Sequence, residues 1–309
     1  PDERIKPSGA KFFDESPAAY NRTQSIVPQI DFSGRYPKPS DPSVMPLGGR
    51  MSPIMQEADA VSTELANRIR GGIGTNSQYF YRTGPMYEGI DSVGVNPQEF
   101  MGKFAPAFAG TSPRTPTDRN FLNATMMMYR DARGLPLDRP VLALDDLNDK
   151  GYGMIIGQHP QLTQRLMSGE DAFAGNPKPS SFSLNTLGNL QGETIDTHNI
   201  RGTLLSFDAL FPGELPRGWF HNDAAYQKYL AEGLSPDLLS SKTGVKDSLA
   251  DQTIGGVTSQ VEYGPMADIT RRAAMKAGVD PADAQALGWF GMGDATGLAS
   301  ANKTITGLA

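Results

Sequence analysis

The chain has 309 residues, 38% of them hydrophobic and 20% charged, so it is long and apolar enough to bury a core and is not a disordered segment. It contains no cysteine, which excludes disulfides, cysteine nucleophiles, zinc–cysteine sites and iron–sulfur clusters. A net charge of -6 counts against broad, non-specific nucleic-acid binding, while leaving room for a local basic face.

Glycine and proline number 34 and 24, well above the ~12% that these two types make up in an average chain. Long connections and short helices are expected. No apolar run approaches the roughly 18 residues of a membrane span and no signal peptide is visible, so no membrane partner is expected. The first residue is Pro1 rather than methionine, which raises the expectation of a longer or processed product.

Residues 1–50 carry prolines at 7, 17, 28, 37, 39, 42 and 46 and scattered aromatics, and read as an extended arm laid over a folded body or onto a partner. Ser52 is the expected N-cap of the first helix, with Pro53 at its first position. Ile54, Ala58, Val61, Leu65 and Ile69 recur at helical spacing before Gly71-Gly72. The run "GGIGTN" (71–76) lacks the Lys-Ser/Thr of a phosphate loop and reads as a helix end and loop. Asn96-Pro97 with Glu99 opens a second helix whose face is Phe100, Phe104 and Phe108, and Pro106 is expected to bend or end it.

After "GTSPRTPTDRN" (110–120), a strong helix is expected from about Asp118 to Arg133. Phe121, Leu122, Thr125, Met128 and Tyr129 form its buried stripe. "GYGMIIGQ" (151–158) reads as a buried helical segment. Asn222 caps a helix that ends at Gly233, and residues 234–258 form a loop. A helix over about 263–277 turns Tyr263, Met266, Thr270, Ala273 and Ala277 to one side and ends at Gly278. Asp280-Pro281 with Asp283 opens the last helix, and the tail from Gly291 frays. Three arginine pairs, Arg68/Arg70, Arg114/Arg119 and Arg271/Arg272, read as solvated helix ends or as a local basic face. No alternating strand series appears, so the class is mainly α.

The densest polar stretch is "ETIDTHNIRG" (193–202). Asp196 stands where an N-cap stands, ahead of a helix carrying Ile200, Leu204 and Leu205. It lies at a positive helix end and faces back toward Lys178, one helix earlier. A metal set of Asp196, His198 and one of His159 or His221 is disfavoured, because Asp-x-His does not put both side chains on one helical face. Thr197 and His198 read as structural. No Gly-x-Ser-x-Gly motif is present.

The segment "NPKPSSFSLNTLGNLQGETIDTHNIR" resembles the helix-hairpin-helix DNA glycosylase superfamily, the endonuclease III-like enzymes. In that family a hairpin turn precedes a lysine, an Asp follows 18 residues later within an Asp-Thr-His stretch, and an Arg comes after. Lys178 and Asp196 are 18 apart, "LNT" (184–186) is in register, and Arg201 occupies the Arg position. The close match spans about 30 residues and a looser one about 100. The hairpin departs from the family's Gly-hydrophobic-Gly, reading Ala174-Gly175-Asn176-Pro177, which puts its phosphate grip in question. A weaker similarity is to bacteriophage proteins with a Lys, then Phe-Asn-Gly, then "TIDTH" pattern, found within virion-borne or multidomain polypeptides.

The resemblance implies a two-lobed helical fold with an extended N-terminal arm. One lobe is built from 51–95 plus 215–309 and a central lobe from 96–214. It implies a DNA glycosylase or glycosylase/AP lyase acting on a flipped base, with Asp196 and Lys178 catalytic and no cofactor or metal. Ser112, Arg114, Asn120, Asn185 and Arg201 are the candidate substrate-binding residues, with Pro113 beside them as a wedge. DNA is the expected partner, with other phage proteins possible through residues 1–50, in a bacterial host's cytoplasm or a phage virion. The alternative is a non-catalytic virion or DNA-associated protein that keeps the scaffold.

Overall fold

A computed structural model describes residues 49–73, 80–112, 115, 117–135, 137, 159–168, 177–220, 222–235, 238 and 260–291. Among these residues the chain is mainly α and has no strand. Eleven α-helices are described: α1 Ser52–Gln56, α2 Ala58–Gly71, α3 Gly84–Ser92, α4 Pro97–Gly110, α5 Thr117–Ala132, α6 His159–Met167, α7 Pro177–Thr186, α8 Thr197–Leu210, α9 Asp223–Glu232, α10 Gln260–Ala277 and α11 Pro281–Gly291. The arm over 1–48, Pro113, Arg114, the hairpin residues 174–176, "GYGMIIGQ", the loop over 239–258 and the tail from 292 lie outside the described residues.

The helix starts follow local chemistry. Asn96 accepts from the amides of Gln98 and Glu99 at 3.0 and 3.1 Å, and Asn222 accepts from Ala225 N at 2.8 Å. Both satisfy orphan amides that a helix start leaves open. Gly233 and Gly278 close α9 and α10 at φ of 78° and 76°, a region that other residues adopt at a cost.

Four expectations are corrected. Ser52 is inside α1 and the N-cap is Met51, and Glu57 divides the expected single helix into α1 and α2. Pro106 does not end α4, which continues to Gly110. The ring removes only the bond to the Gly102 carbonyl, while Pro106 itself packs inside with Met101, Phe104, Ala105 and Phe108. The face of α5 is also rotated. Asn120, Asn123, Ala124, Met127 and Arg130 are buried, while Phe121, Leu122 and Tyr129 are exposed. The Asn120 amide has partners at both ends, donating to Phe108 O at 2.9 Å and accepting from Thr111 Oγ1 at 2.7 Å. Short helices α3 and α6 carry no strong sequence signal of their own.

Two hydrophobic clusters form the interior. One joins α1, α2, α8, α9, α10 and α11 through Val61, Leu65, Ile200, Leu204, Tyr229 and Ile269. The other joins α3, α4, α5 and α7 with Tyr81, Phe104, Phe108, Met127 and Phe182. Helix α11 serves both, giving Ala284 and Leu287 to the first and Ala282 and Ala286 to the second. Helix α7 is buried all round from Pro179 to Thr186, although five of those eight residues are serine, threonine or asparagine. Their small side chains let neighbouring helices approach closely.

Helices α4 and α6 also touch with almost no gap. A Cβ on Gly110 would fall 2.6 Å from Thr163 Cα and 2.8 Å from Thr163 N, backbone atoms that cannot swing aside. Gly102, on the same helix, has open space. Gly110→Ala is expected to lower stability by about 1–3 kcal/mol through overpacking. Gly102→Ala is expected to raise it by about 0.4–1 kcal/mol. Urea denaturation of the two variants checks this pair.

Candidate functional site

The stretch that stood out in the sequence forms the end of a helix–loop–helix unit. Helix α7 begins at Pro177, so Lys178 lies in its first turn and is half-buried. The loop after Thr186 then turns back. Gly188 has φ of 97°, Asn185 Nδ2 donates across the loop to Gly192 O at 2.9 Å, and Ala282 N reaches Leu190 O at 3.1 Å. Helix α8 follows with Asp196 as its N-cap. Asp196 Oδ1 accepts from Asn199 N at 2.9 Å, and the backbone at Asp196 is extended, as a cap requires.

Helix α10 holds this return. The Tyr263 phenol donates to Glu193 O at 2.7 Å, accepts from Ile195 N at 3.1 Å and lies 3.1 Å from Ser181 Oγ, with which it shares a hydrogen bond. Two turns further along α10, Thr270 Oγ1 donates to Asn199 Oδ1 at 3.2 Å. Next to it Arg271 grips the Glu193 carboxylate at both oxygens, Nε to Oε1 at 2.7 Å and Nη2 to Oε2 at 2.9 Å. Residues 193, 195 and 199, on either side of Asp196, are thus fixed by side chains some 70 positions away in sequence.

The candidate residues fall in two places. Lys178, Asn185, Asp196 and Arg201 belong to the helix–loop–helix unit. Asp196 and Arg201 are buried, 8% and 6% exposed, and the Asp196 charge favours the Arg201 guanidinium, while burial, the larger effect, lowers its pKa. No ion pair joins Lys178 to Asp196, so any joint action needs a substrate between them. Ser112 and Asn120 belong instead to the junction of α4 and α5. Ser112 donates to Ala109 O, and both polar ends of the Asn120 amide are engaged inside that junction. Arg114 lies outside the described residues. Among the described residues, no group of three His, Asp or Glu side chains is arranged to hold a metal ion.

Four arginines of the sequence's basic pairs are engaged by neighbouring groups. Arg68 pairs with Glu64, Arg271 with Glu193 and Arg272 with Asp268, while Arg70 bonds to Asn67 and to the Lys276 carbonyl. Sequence reasoning passed over Glu193, Tyr263 and Arg271 as members of the site. Tyr263 looked like one more residue of an apolar face, and only its partner in space gives it a role.

Glu193 is completely buried. Burial pushes its pKa up to about 7, and Arg271 opposes this only in part, because the guanidinium is itself a quarter exposed and screened by water. Nearby, burial holds the Asp283 carboxyl up at about 6 against the opposing charge of Arg82. Burial also raises the Tyr81 phenol, the Asp196 charge adds to this, and the Thr194 hydroxyl works against it.

No family model matches the chain, and no curated protein or solved structure is significantly similar to it.

A raised carboxylate pKa means that the folded state binds more protons than the unfolded state between the two values. Stability contributed by Glu193 is therefore present below about pH 4.5 and is lost as pH rises through about 7. Asp283 acts with the same sign, but its loss is complete by about pH 6. Glu193→Gln is expected to flatten the fall in stability between pH 6 and 7. The whole Glu193 contribution is on the order of 3 kcal/mol. Thermal unfolding at a series of pH values reads the slope, and an unchanged slope in the variant contradicts this assignment.

Proposed function

We propose that this chain is a DNA glycosylase or glycosylase/AP lyase, phage-encoded, that acts on a flipped modified or damaged base. The observation that carries the reading is the Tyr263 bridge. It ties Ser181, one helical turn after Lys178, to Glu193 and Ile195, the residues just before Asp196. One oxygen thereby joins α7, a turn past the amine, to the strap that ends at the carboxylate, the two groups that the 18-residue spacing singled out. The buried, loop-linked α7 and α8 also suit a scaffold that must hold two groups against a bulky extruded nucleotide.

In this reading, Asp196 stabilises positive charge developing on the sugar as the glycosidic bond breaks and the base leaves with the bonding electrons. The neutral Lys178 amine adds at C1′ and loses a proton. Proton transfer to O4′ opens the ring to a Schiff base, and loss of a C2′ proton then breaks the C3′–O bond and releases the 3′ phosphate. Asp196 is held by Asn199 N but keeps a second carboxylate oxygen for this role. DNA is the partner, in a bacterial host's cytoplasm or a virion. A non-catalytic virion or DNA-associated protein is the second reading. It is favoured by the deep burial of Asp196, the paired arginines and the acidic balance of the chain.

Borohydride trapping on duplex DNA with one abasic site separates the two. The amine condenses with the C1′ aldehyde, water leaves, and hydride reduces the imine to a stable amine. Wild type is expected to give a covalent adduct and Lys178→Ala none. Asp196→Asn keeps the cap, since Asn caps as well as Asp, and isolates the charge. It is expected to slow release of the cognate base, found with a panel of duplexes carrying modified bases, by about 10²–10⁴-fold. No adduct and no base release from wild type would establish the scaffold reading.

A further inference from the structure

We infer that Tyr263 is a positioning residue for the Lys178–Asp196 pair, acting through its phenol oxygen as the register pin between α7 and α8. The inference rests on the proposed activity. Tyr263 is 4% exposed, and its oxygen meets three groups that belong to two elements. Ser181 lies on α7 three residues after Lys178, so the two share a helical face. Glu193 and Ile195 lie on the strap that delivers Asp196. A shift of α7 against that strap would change the separation of amine and carboxylate, and this one oxygen meets both sides.

The rest of α10 reinforces the strap but not the α7 side. Thr270 reaches Asn199, and Arg271 reaches Glu193. Phe182, the next residue of α7, packs on the opposite cluster, with its ring 6.1 Å from Tyr81 and 5.3 Å from Phe108. Adjacent residues of α7 are therefore anchored in opposite directions, Ser181 by a hydrogen bond and Phe182 by aromatic packing. Removing the phenol oxygen leaves the packing in place and frees the register.

The fold supplies a matched control. Tyr229, on α9, is equally buried, accepts from Leu215 N at 3.1 Å and donates to Asp208 at 2.6 Å, near the far end of α8 from the Asp196 cap and away from the α7 side of the unit. Tyr263→Phe and Tyr229→Phe each delete one buried phenol oxygen from the same hydrophobic cluster.

The test uses the full chain, a duplex with a single abasic site and single-turnover borohydride trapping over a range of protein concentrations. Tyr263→Phe is expected to lower the maximal trapping rate at least ~10-fold, in line with the sensitivity of such geometry to small displacements. Half-saturation should stay within about twofold, and faster amide exchange at Ile195 should accompany the loss. Tyr229→Phe is expected to lose similar thermal stability while keeping the wild-type trapping rate. A maximal rate for Tyr263→Phe within about twofold of wild type overturns the inference and leaves the proposed activity standing. So does an equal loss in Tyr229→Phe. Wild type that traps no DNA overturns the inference, and wild type that also releases no base from any duplex overturns the proposed activity with it. If Tyr263→Phe does not fold, Ser181→Ala deletes only the α7 end of the bridge, and its maximal rate decides by the same criteria.

Discussion

One phenol oxygen connects the parts of this molecule that matter most. A ten-residue loop that leaves α7 has to return along it before α8 can start, and a loop has no ladder of its own to hold that path. Its polar groups are buried, so each needs a partner. Tyr263 supplies partners to the Glu193 carbonyl and the Ile195 amide and reaches α7 at Ser181. The Glu193 side chain, with nowhere else to go, takes Arg271. The Asp196 cap at the start of α8 follows directly on that return, so its position depends on the return being fixed.

The arrangement has a cost. A carboxylate with no exposure, held by an arginine that still touches water, is protonated more easily than an ordinary glutamate. Asp283 repeats the pattern with Arg82 on the other side of the loop. The interior around this loop therefore contains a layer of buried polar groups, among them Glu193 and Asp283 with their arginines. Such a layer specifies one register, since sliding any helix by a turn would strand buried charges. It also places acid chemistry beside Asp196 without giving that residue a direct cationic clamp from α10.

What the sequence revealed follows from how local each signal is. Asn96, Asn222 and Asp196 cap helices because a short polar side chain bonds amides two or three residues ahead, and that signal needs no tertiary partner. The glycines after α9 and α10 are local in the same way. The apolar side of α10 was legible because its residues repeat at helical spacing. The face of α5 was not. Asn120 and Asn123 turn inward while Phe121 and Tyr129 face out, so hydrophobicity pointed the wrong way. The polar side is buried because Thr111 and the Phe108 carbonyl await it. Pro106, expected to bend or end α4, does not end it, because the packing of the proline and its neighbours outweighs one missing hydrogen bond. The site was legible only as a pair of spacings. The Glu193–Arg271 and Tyr263 contacts join residues about 70–80 apart, and nothing local in Arg271-Arg272 distinguishes a buried partner from a solvated helix end.

The central claim is that the amine of Lys178 and the carboxylate of Asp196 act on one sugar. Peptide mapping by mass spectrometry of a borohydride-reduced protein–DNA complex tests it most directly, because it identifies the nucleophile without any substitution. The account predicts that the modified peptide carries its adduct on Lys178. An adduct on any other lysine or on the chain's terminal amine, or a wild-type protein that yields no covalent complex, would contradict it.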